Sequence, residues 1–470
     1  KEWLYNYDNQ LILDQNETNI PIQDFINREL IHFSNSDTYR SIGSIYDGLK
    51  PSQRKILYSC FKRNLFKEIR VAQLAGYVSE NAAYHHGEAS LQSAIIGMAQ
   101  NFIGSNNLNL LMPNGQFGTR IMGGHDSASP RYIHTELNKI VTLLYPPSDF
   151  PLLDYNDDDG VYVEPKYYIP IIPMVLVNGM NGIGTGFSTS IPKYDIRDVT
   201  NNILKRLNGN MYTKIHPNYN NFKGQIIQLD NKNYMSKGIY KIINSTILDI
   251  LELPIGKWTD DYKNFLDSLI EEDTKKNKDD TSKKKKKSVH IVDYINNSSD
   301  TEINFRIILP KGVIQSLQWS EDKHIDGIEK FFKLTTTKGL SLSNIHLYDK
   351  GKIVKYTSLS DIFDTFYEER YKLYEVRKEY QCKELLNSLQ IIESKIRFIK
   401  DVIEEQIIIY KRKKLQIMEA LFEKQYLQVK DKKVIQEIED DINTNNYDYL
   451  IKMSLYTFTE EEIDRLHDEY

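Results

Sequence analysis

Ile22, Phe25, Ile26, Leu30 and Phe33 recur at the three-and-four spacing of one helix face, and predict an amphipathic helix docked near the start of the chain. From Gly48 the pattern tightens. Pro51 suits the first turn of a helix whose apolar stripe is Ile56, Leu57, Cys60 and Phe61. A short helix follows over about 71–79, with Val71, Leu74, Ala75 and Val78 inward. After a break at 81–87, a third helix carries Leu91, Ala94, Ile95, Met98 and Phe102 on one stripe. Short helix, turn, longer helix is the rhythm of a helix-turn-helix. Residues 104–130 are rich in Gly, Asn, Ser and Pro, but Leu108, Leu110, Leu111 and Phe117 punctuate them, which marks an ordered loop or wing. Ile133, Leu137, Ile140, Val141 and Leu144 then predict another helix.

Strand-like runs at 169–177, 224–229, 246–253 and 304–309 make 161–355 a mixed region. Within it, 271–287 holds eight Lys, five acidic residues and no apolar one, and reads as a disordered loop. Farther on, Cys382, Leu385, Leu389, Ile392, Ile396, Ile399 and Ile403 alternate steps of three and four, the seam of a coiled coil. Ile407, Ile408 and Ile409, followed by Met418, Leu421 and Phe422, suggest that this helix feeds a small globular tip. Residues 447–458 form an apolar and aromatic island, either a contact between chains or packing within one chain.

Composition narrows the class. The chain has 470 residues, which at roughly 150 per domain suggests about three domains. With 40% hydrophobic residues it can bury sizeable cores, and its net charge of -5 excludes a basic whole-chain signature. Any nucleic-acid surface is therefore a local patch. Cys60 and Cys382 are too few and too far apart for a disulfide scaffold or a cysteine zinc site, and fit a reducing compartment. No apolar run is long enough to cross a membrane as a helix. The opening Lys1-Glu2-Trp3-Leu4 has neither an initiator Met nor a signal-peptide pattern, and reads as a piece of a longer protein.

Five places bear candidate chemistry. Between Lys50 and Arg70, seven cations (Lys50, Arg54, Lys55, Lys62, Arg63, Lys67 and Arg70) face one carboxylate, Glu68. A charge run is ordinarily a solvated face, but its overlap with a helix-turn-helix pattern favours phosphate binding. In Ser129-Pro130-Arg131-Tyr132, Arg131 sets a permanent cation beside a phenol, which needs a cation, base or metal to become a nucleophile. His85 and His86, being adjacent, make a poor metal pair; they are either structural or turned to a phosphate. The glycine spacing 179, 182, 184, 186 fits neither a dinucleotide loop nor a P-loop. Its bare Ile183 is either buried in a tight turn or a wedge of the kind that kinks DNA. Asp154–Gly160 lacks the closing Glu of a calcium loop and reads as an acidic turn.

These pieces stand in a telling order. Asp47-Gly48-Leu49-Lys50-Pro51-Ser52-Gln53-Arg54-Lys55, Val71-Ala72-Gln73-Leu74-Ala75-Gly76, Tyr84-His85-His86-Gly87-Glu88, Ala99-Gln100-Asn101-Phe102, Gly115-Gln116-Phe117-Gly118-Thr119-Arg120, Ser129-Pro130-Arg131-Tyr132, Ile169-Pro170-Ile171-Ile172-Pro173 and Gly182-Ile183-Gly184-Thr185-Gly186 follow one another as they do in the breakage-reunion region of eukaryotic type IIA DNA topoisomerase, topoisomerase II, which this chain closely resembles. The resemblance implies an α+β multidomain chain: an N-terminal arm at 1–40 following a metal-binding (TOPRIM) domain, a winged-helix domain at 41–165, a mixed tower or shoulder domain at 166–355, and a coiled coil with a small helical dimer gate at 356–470. It implies Tyr132 as the nucleophile that forms a 5′-phosphotyrosyl bond. Arg131 and His86 would act on the scissile phosphate, and Lys50, Arg54, Lys55, His85 and Gln116 would contact DNA. Ile183 would be an intercalating wedge, and 447–458 the lower dimer gate. Double-stranded DNA, a second copy of the chain and a nuclear location are implied with it, and no membrane. Mg2+ and ATP are implied for the whole protein. The family's acidic metal motif and ATP-binding domain do not occur in this sequence, so no metal ligand is expected here and the chain alone is expected to cleave little. Two other readings rest on the same residues: an architectural DNA-bending protein using the basic helix and Ile183, and a nucleotide-binding enzyme using the glycine loop.

Overall fold

The computed structural model describes all residues except 1, 6, 15–18, 276–290, 318–321, 432, 436–445 and 470. The chain divides into two compact units, Lys1–Tyr371 and Lys372–Tyr470. The first opens with a one-turn helix, Glu2–Tyr5, followed by a short helix, Ile22–Phe25, a π turn, Ile26–Leu30, and a helix, Ile31–Ser41. The predicted helical character is there, but the predicted docking is not: Ile22, Phe25, Ile26, Leu30 and Phe33 are exposed, Ile22 by 79%. Ile31, Ser34 and Thr38 go inside instead, because this helix is held through the face that bears Thr38.

Three helices, Pro51–Lys62, Val71–Asn81 and Glu88–Ala99, pack pairwise on one another. Pro51 occupies the first turn of its helix, and Gln53 Oε1 accepts the Lys50 amide. The stripes read from spacing are the ones that go inside: Ile56, Leu57, Cys60, Val71, Leu74, Ala75, Val78, Leu91, Ile95 and Met98 are all buried. Phe102 lies past the end of its helix and meets Trp258 edge-on at 5.9 Å. The helix expected over 133–144 shrinks to Val141–Leu144. His134–Thr135 is instead a strand, antiparallel to Ile69–Arg70. Ile133, Thr135 and Leu137 alternate inward with period two, so pairing with a neighbouring segment overrode the helical spacing.

Residues 104–130 form an ordered loop. Thr119 donates through its amide and hydroxyl to Asp126, and a Cβ on Gly118 would lie 2.5 Å from the Gly124 carbonyl. Arg120 and Glu252 make a buried ion pair at 2.6 Å. The acidic segment becomes a hairpin, Tyr155–Asp158 with Val161–Pro165, turning at Asp159 and Gly160 as expected. The expected strand at 169–177 is absent: Pro170 and Pro173 cannot donate to a ladder, and Met174–Val177 is a short helix. The strands expected near 225, 247 and 305 form as Gln225–Gln228, Ile247–Glu252 and Phe305–Ile308. The last two lie at the centre of an antiparallel sheet ordered Asp293–Asn296, Phe305–Ile308, Ile247–Glu252, Ile239–Ile242. The Thr259–Lys275 helix packs Tyr262 and Leu266 into its core. The helix ends at Lys275, and residues 276–287 of the Lys-rich insert read as disordered lie outside the described residues. A 45-residue helix, Leu359–Ile403, begins in this unit, its first turn capped by reciprocal bonds between Ser358 and Asp361.

In the second unit the heptad seam is half covered. Ile396 and Ile399 are buried with Leu466, while Cys382 and Leu385 are exposed. The expected tip is present: Phe398, Ile407, Met418, Leu421, Tyr426, Tyr447 and Leu450 form its core. The aromatic island is thus divided, with Tyr447 and Leu450 packed inside their own chain, and Leu455 and Tyr456 exposed.

Candidate nucleophile and nucleic-acid interface

Helix N-termini leave amide donors without partners inside the helix. At the start of the Val71–Asn81 helix, the carbonyls of Ile133 and Pro130 accept the amides of Val71 and Ala72 at 3.0 and 3.1 Å. The Ser129–Tyr132 turn, closed by Tyr132 N to Ser129 O at 2.9 Å, is therefore fixed against that helix. Ile133 anchors it from inside, and Asn114 and His134 bond each other's backbone both ways. A Cβ on Gly115, whose φ is +122°, would meet Ile133 at 3.0 Å, so the loop passes close beneath the turn. On this support Tyr132 stands 77% exposed, with Arg131 exposed beside it.

A cationic surface lies beside the strand that follows Tyr132. A cavity of about 760 Å³ is lined by Arg63, Lys67, Arg70, Gln73 and His134, with Glu68 the sole carboxylate. Arg70 pairs in register with His134, two residues beyond Tyr132. Arg63, Lys67 and Arg70 are exposed, as a phosphate-binding surface needs.

A second cavity, of about 500 Å³, brings three predicted residues together: Lys55, His85 and His86. Arg40, Ser52 and Ser90 join them. The sequence reading missed these three, although the polar run Ser34–Ser41 beside a basic helix was a signal. His85 Nε2 lies 3.3 Å from Asp158, and the His86 ring meets Tyr84 edge-on at 5.4 Å. Both histidines are exposed rather than core residues. Gln116 is exposed on the loop, its carbonyl accepting the Ala128 amide at 2.9 Å.

The basic helix needs correction. Arg54 is a buried structural cation, 2% exposed, and its guanidinium donates to Asp47 at 2.7 and 3.1 Å and to the Leu49 carbonyl at 3.0 Å. It lies three and seven residues before Leu57 and Phe61, on the face that packs, and that spacing was the overlooked signal. Lys55 lines the second cavity but is already engaged with Glu164 at 2.8 Å and the Ala82 carbonyl at 2.6 Å. Burial lowers the Lys50 ammonium from its ordinary value.

Ile183 resolves the other way. It is 85% exposed at the end of a hairpin, Met180–Ile183 with Ser188–Ile191. The glycine loop is therefore a strand-to-strand turn and opens no helix, so the nucleotide-binding reading loses its geometry. Among the described residues, no three His, Cys, Asp or Glu side chains gather as a metal site. The described residues thus supply no donor set for Mg2+, and no step is assigned to a metal on them. Nor is any helix among them long and apolar enough to cross a membrane.

Comparison with known proteins adds the lineage. The sequence model of the DNA gyrase/topoisomerase IV A-subunit family matches residues 40–470, and that of the C-terminal associated domain of TOPRIM matches residues 1–38. The chain is 42% identical over 99% of its length to DNA topoisomerase 2 of Arabidopsis thaliana, and 40% identical over 99% to DNA topoisomerase 2-alpha of Homo sapiens; it covers 32% of each. It thus spans about a third of the length of these relatives. Its fold is similar, with a TM-score of 0.86 and 40% identity, to the topoisomerase II DNA-binding, cleavage and re-ligation domain of Plasmodium falciparum, covering 100% of this chain and 63% of that one. By its own motifs, and by a family match running from residue 40 to residue 470, the chain belongs to the DNA gyrase/topoisomerase IV A-subunit family and stands with the eukaryotic type II DNA topoisomerases.

Proposed function

We propose that this chain is the DNA breakage-reunion core of a type II topoisomerase. The observation that carries this is Tyr132, 77% exposed with Arg131 exposed as the preceding residue, on a turn fixed to a helix N-terminus and followed by a strand residue, His134, that lines a cavity with Arg63, Lys67 and Arg70. In the reaction the Tyr132 oxygen attacks a backbone phosphorus. The new P–O bond joins tyrosine to the 5′ side of the break, the P–O3′ bond breaks, the phenol's proton leaves and the 3′ oxygen gains one. One phosphodiester replaces another, so reversal reseals the strand without an added energy source. Arg131 offsets charge that builds on the phosphoryl oxygens, and the exposed cations hold the backbone to either side. His86 supplies a further donor to phosphate from the second cavity.

The three packed helices and the paired strands support a winged-helix reading, the antiparallel sheet region a tower, and the Leu359–Ile403 helix with its tip a coiled-coil arm and gate. Cutting both strands needs two tyrosines, so we read the active form as a two-fold homodimer acting in the nucleus. Mg2+ and ATP belong, on this reading, to other parts of the whole protein. A purely architectural DNA-bending role is set aside.

The test is to incubate the full-length protein with DNA and Mg2+ and to trap it with detergent. Protein becomes covalently attached to DNA, and Tyr132→Phe removes the adduct while DNA binding survives. Adducts that persist in Tyr132→Phe overturn the assignment.

A further inference from the structure

The hairpin that presents Ile183 is held from outside as well as by its own strands. Asp37 Oδ2 accepts the Thr185 amide at 3.0 Å and the Thr185 hydroxyl at 2.9 Å. The next residue, Thr38, donates its hydroxyl to the Thr185 carbonyl at 3.0 Å, and shares it with Ser34 O at 2.8 Å. Amide, hydroxyl and carbonyl of one turn residue are thus all bonded to two consecutive side chains of the Ile31–Ser41 helix. The approach is close: a Cβ on Gly184 would lie 2.7 Å from Thr38 Cα, and one on Gly182 would lie 2.1 Å from the Ser41 carbonyl. Thr185 is two residues from Ile183, in the turn that also contains Gly186 at φ +80°. A side chain that unstacks bases receives an equal force in return. Four residues of unsupported turn would yield to that force.

We propose that Asp37 and Thr38 are positioning residues that brace the Thr185 turn so that Ile183 keeps its place when it enters the duplex. The inference rests on reading Ile183 as a DNA-bending wedge. Asp37 acts as a hydrogen-bond acceptor here; its ion pair with Arg40, at 3.9 Å, is a separate and looser contact. The two roles can be parted, because asparagine keeps an oxygen that accepts from Thr185 and loses the charge that attracts Arg40.

The experiment uses the full-length protein and a short duplex labelled at both ends, read by fluorescence transfer at saturating protein, with affinity and thermal melting measured alongside. Ile183→Ala is expected to abolish bending. Asp37→Ala is expected to lower the bent population about tenfold, the scale of one or two lost hydrogen bonds, with affinity and melting little changed; Thr38→Val acts in the same direction. Asp37→Asn is expected to keep the bend. If Ile183→Ala abolishes bending while Asp37→Ala and Thr38→Val leave it intact, the brace is wrong and the wedge stands. If Asp37→Ala lowers melting and Asp37→Asn restores neither melting nor bending, the contact is merely structural and the brace is likewise overturned. If Ile183→Ala bends DNA normally, the wedge falls and takes the brace with it.

Discussion

At the scale of single residues, Arg54 is enclosed in its ion pair while Lys67 stands in solvent. Arg54 belongs to a run of cations, yet it shares the packing face of its helix and meets Asp47, which also accepts the amides of Leu49 and Tyr168. Removing one partner of a buried ion pair strands the other. Arg54→Ala is therefore expected to cost about 3–5 kcal/mol in urea unfolding. Lys67→Ala, at an exposed site, is expected to leave stability unchanged and reduce the salt slope of DNA binding by about one; a reversed pattern would mean that the two cations had been given each other's roles. Lys193 offers a titration. Burial pushes its ammonium down from 10.5 to about 8, with Nζ donating to the Ser105 carbonyl. Its folded value lies below its unfolded one, so from about pH 8 to about pH 10 the unfolded chain holds more protons and stability rises with pH. The cost is present in full below that window. Lys193→Met is expected to remove this rise, on the order of 3 kcal/mol, and an unchanged slope would assign the rise to other groups. Tyr132 and Ile183 were legible as candidates from their neighbours, but only coordinates reveal that both stand in the open.

At the scale of elements, helices that stand on their own stripe were readable and segments defined by a partner were not. The helices after Pro51, Val71 and Glu88 carry continuous apolar faces, and those faces are buried. Residues 133–144 show the same spacing, yet pairing with Ile69–Arg70 and with Asn114 draws the first part straight. No periodicity within twelve residues reports a strand partner sixty positions away. The hydrophobic run at 169–177 suggests a strand, but Pro170 and Pro173 lack the amide protons that a paired strand needs. The stripe Ile22–Phe33 is real in sequence and exposed in this chain, which separates helical periodicity from docking: the first follows from local spacing, the second from whatever else is present.

At the scale of the whole molecule, two units with separate cores imply two stabilities. Met418, Leu421 and Leu450 are wholly enclosed within Lys372–Tyr470. Leu421→Ala is expected to cost about 2–5 kcal/mol in that unit alone, seen by hydrogen exchange as faster exchange in the Lys414–Glu423 helix with the Val71–Asn81 helix unaffected. A single cooperative loss across both helices would deny the units their independence. A net charge of -5 gives no sign of a nucleic-acid partner, and folding decides which cations reach solvent: Arg63, Lys67 and Arg70 line one cavity while Arg54 vanishes inside. The hairpin bearing Ile183 is bolted to the Ile31–Ser41 helix through Thr185. A prong too stiff to give leaves the double helix as the compliant party. On the proposed reading, cutting would concentrate where stacking is softest, at pyrimidine–purine steps, and choice of site would be governed by mechanics more than by spelling.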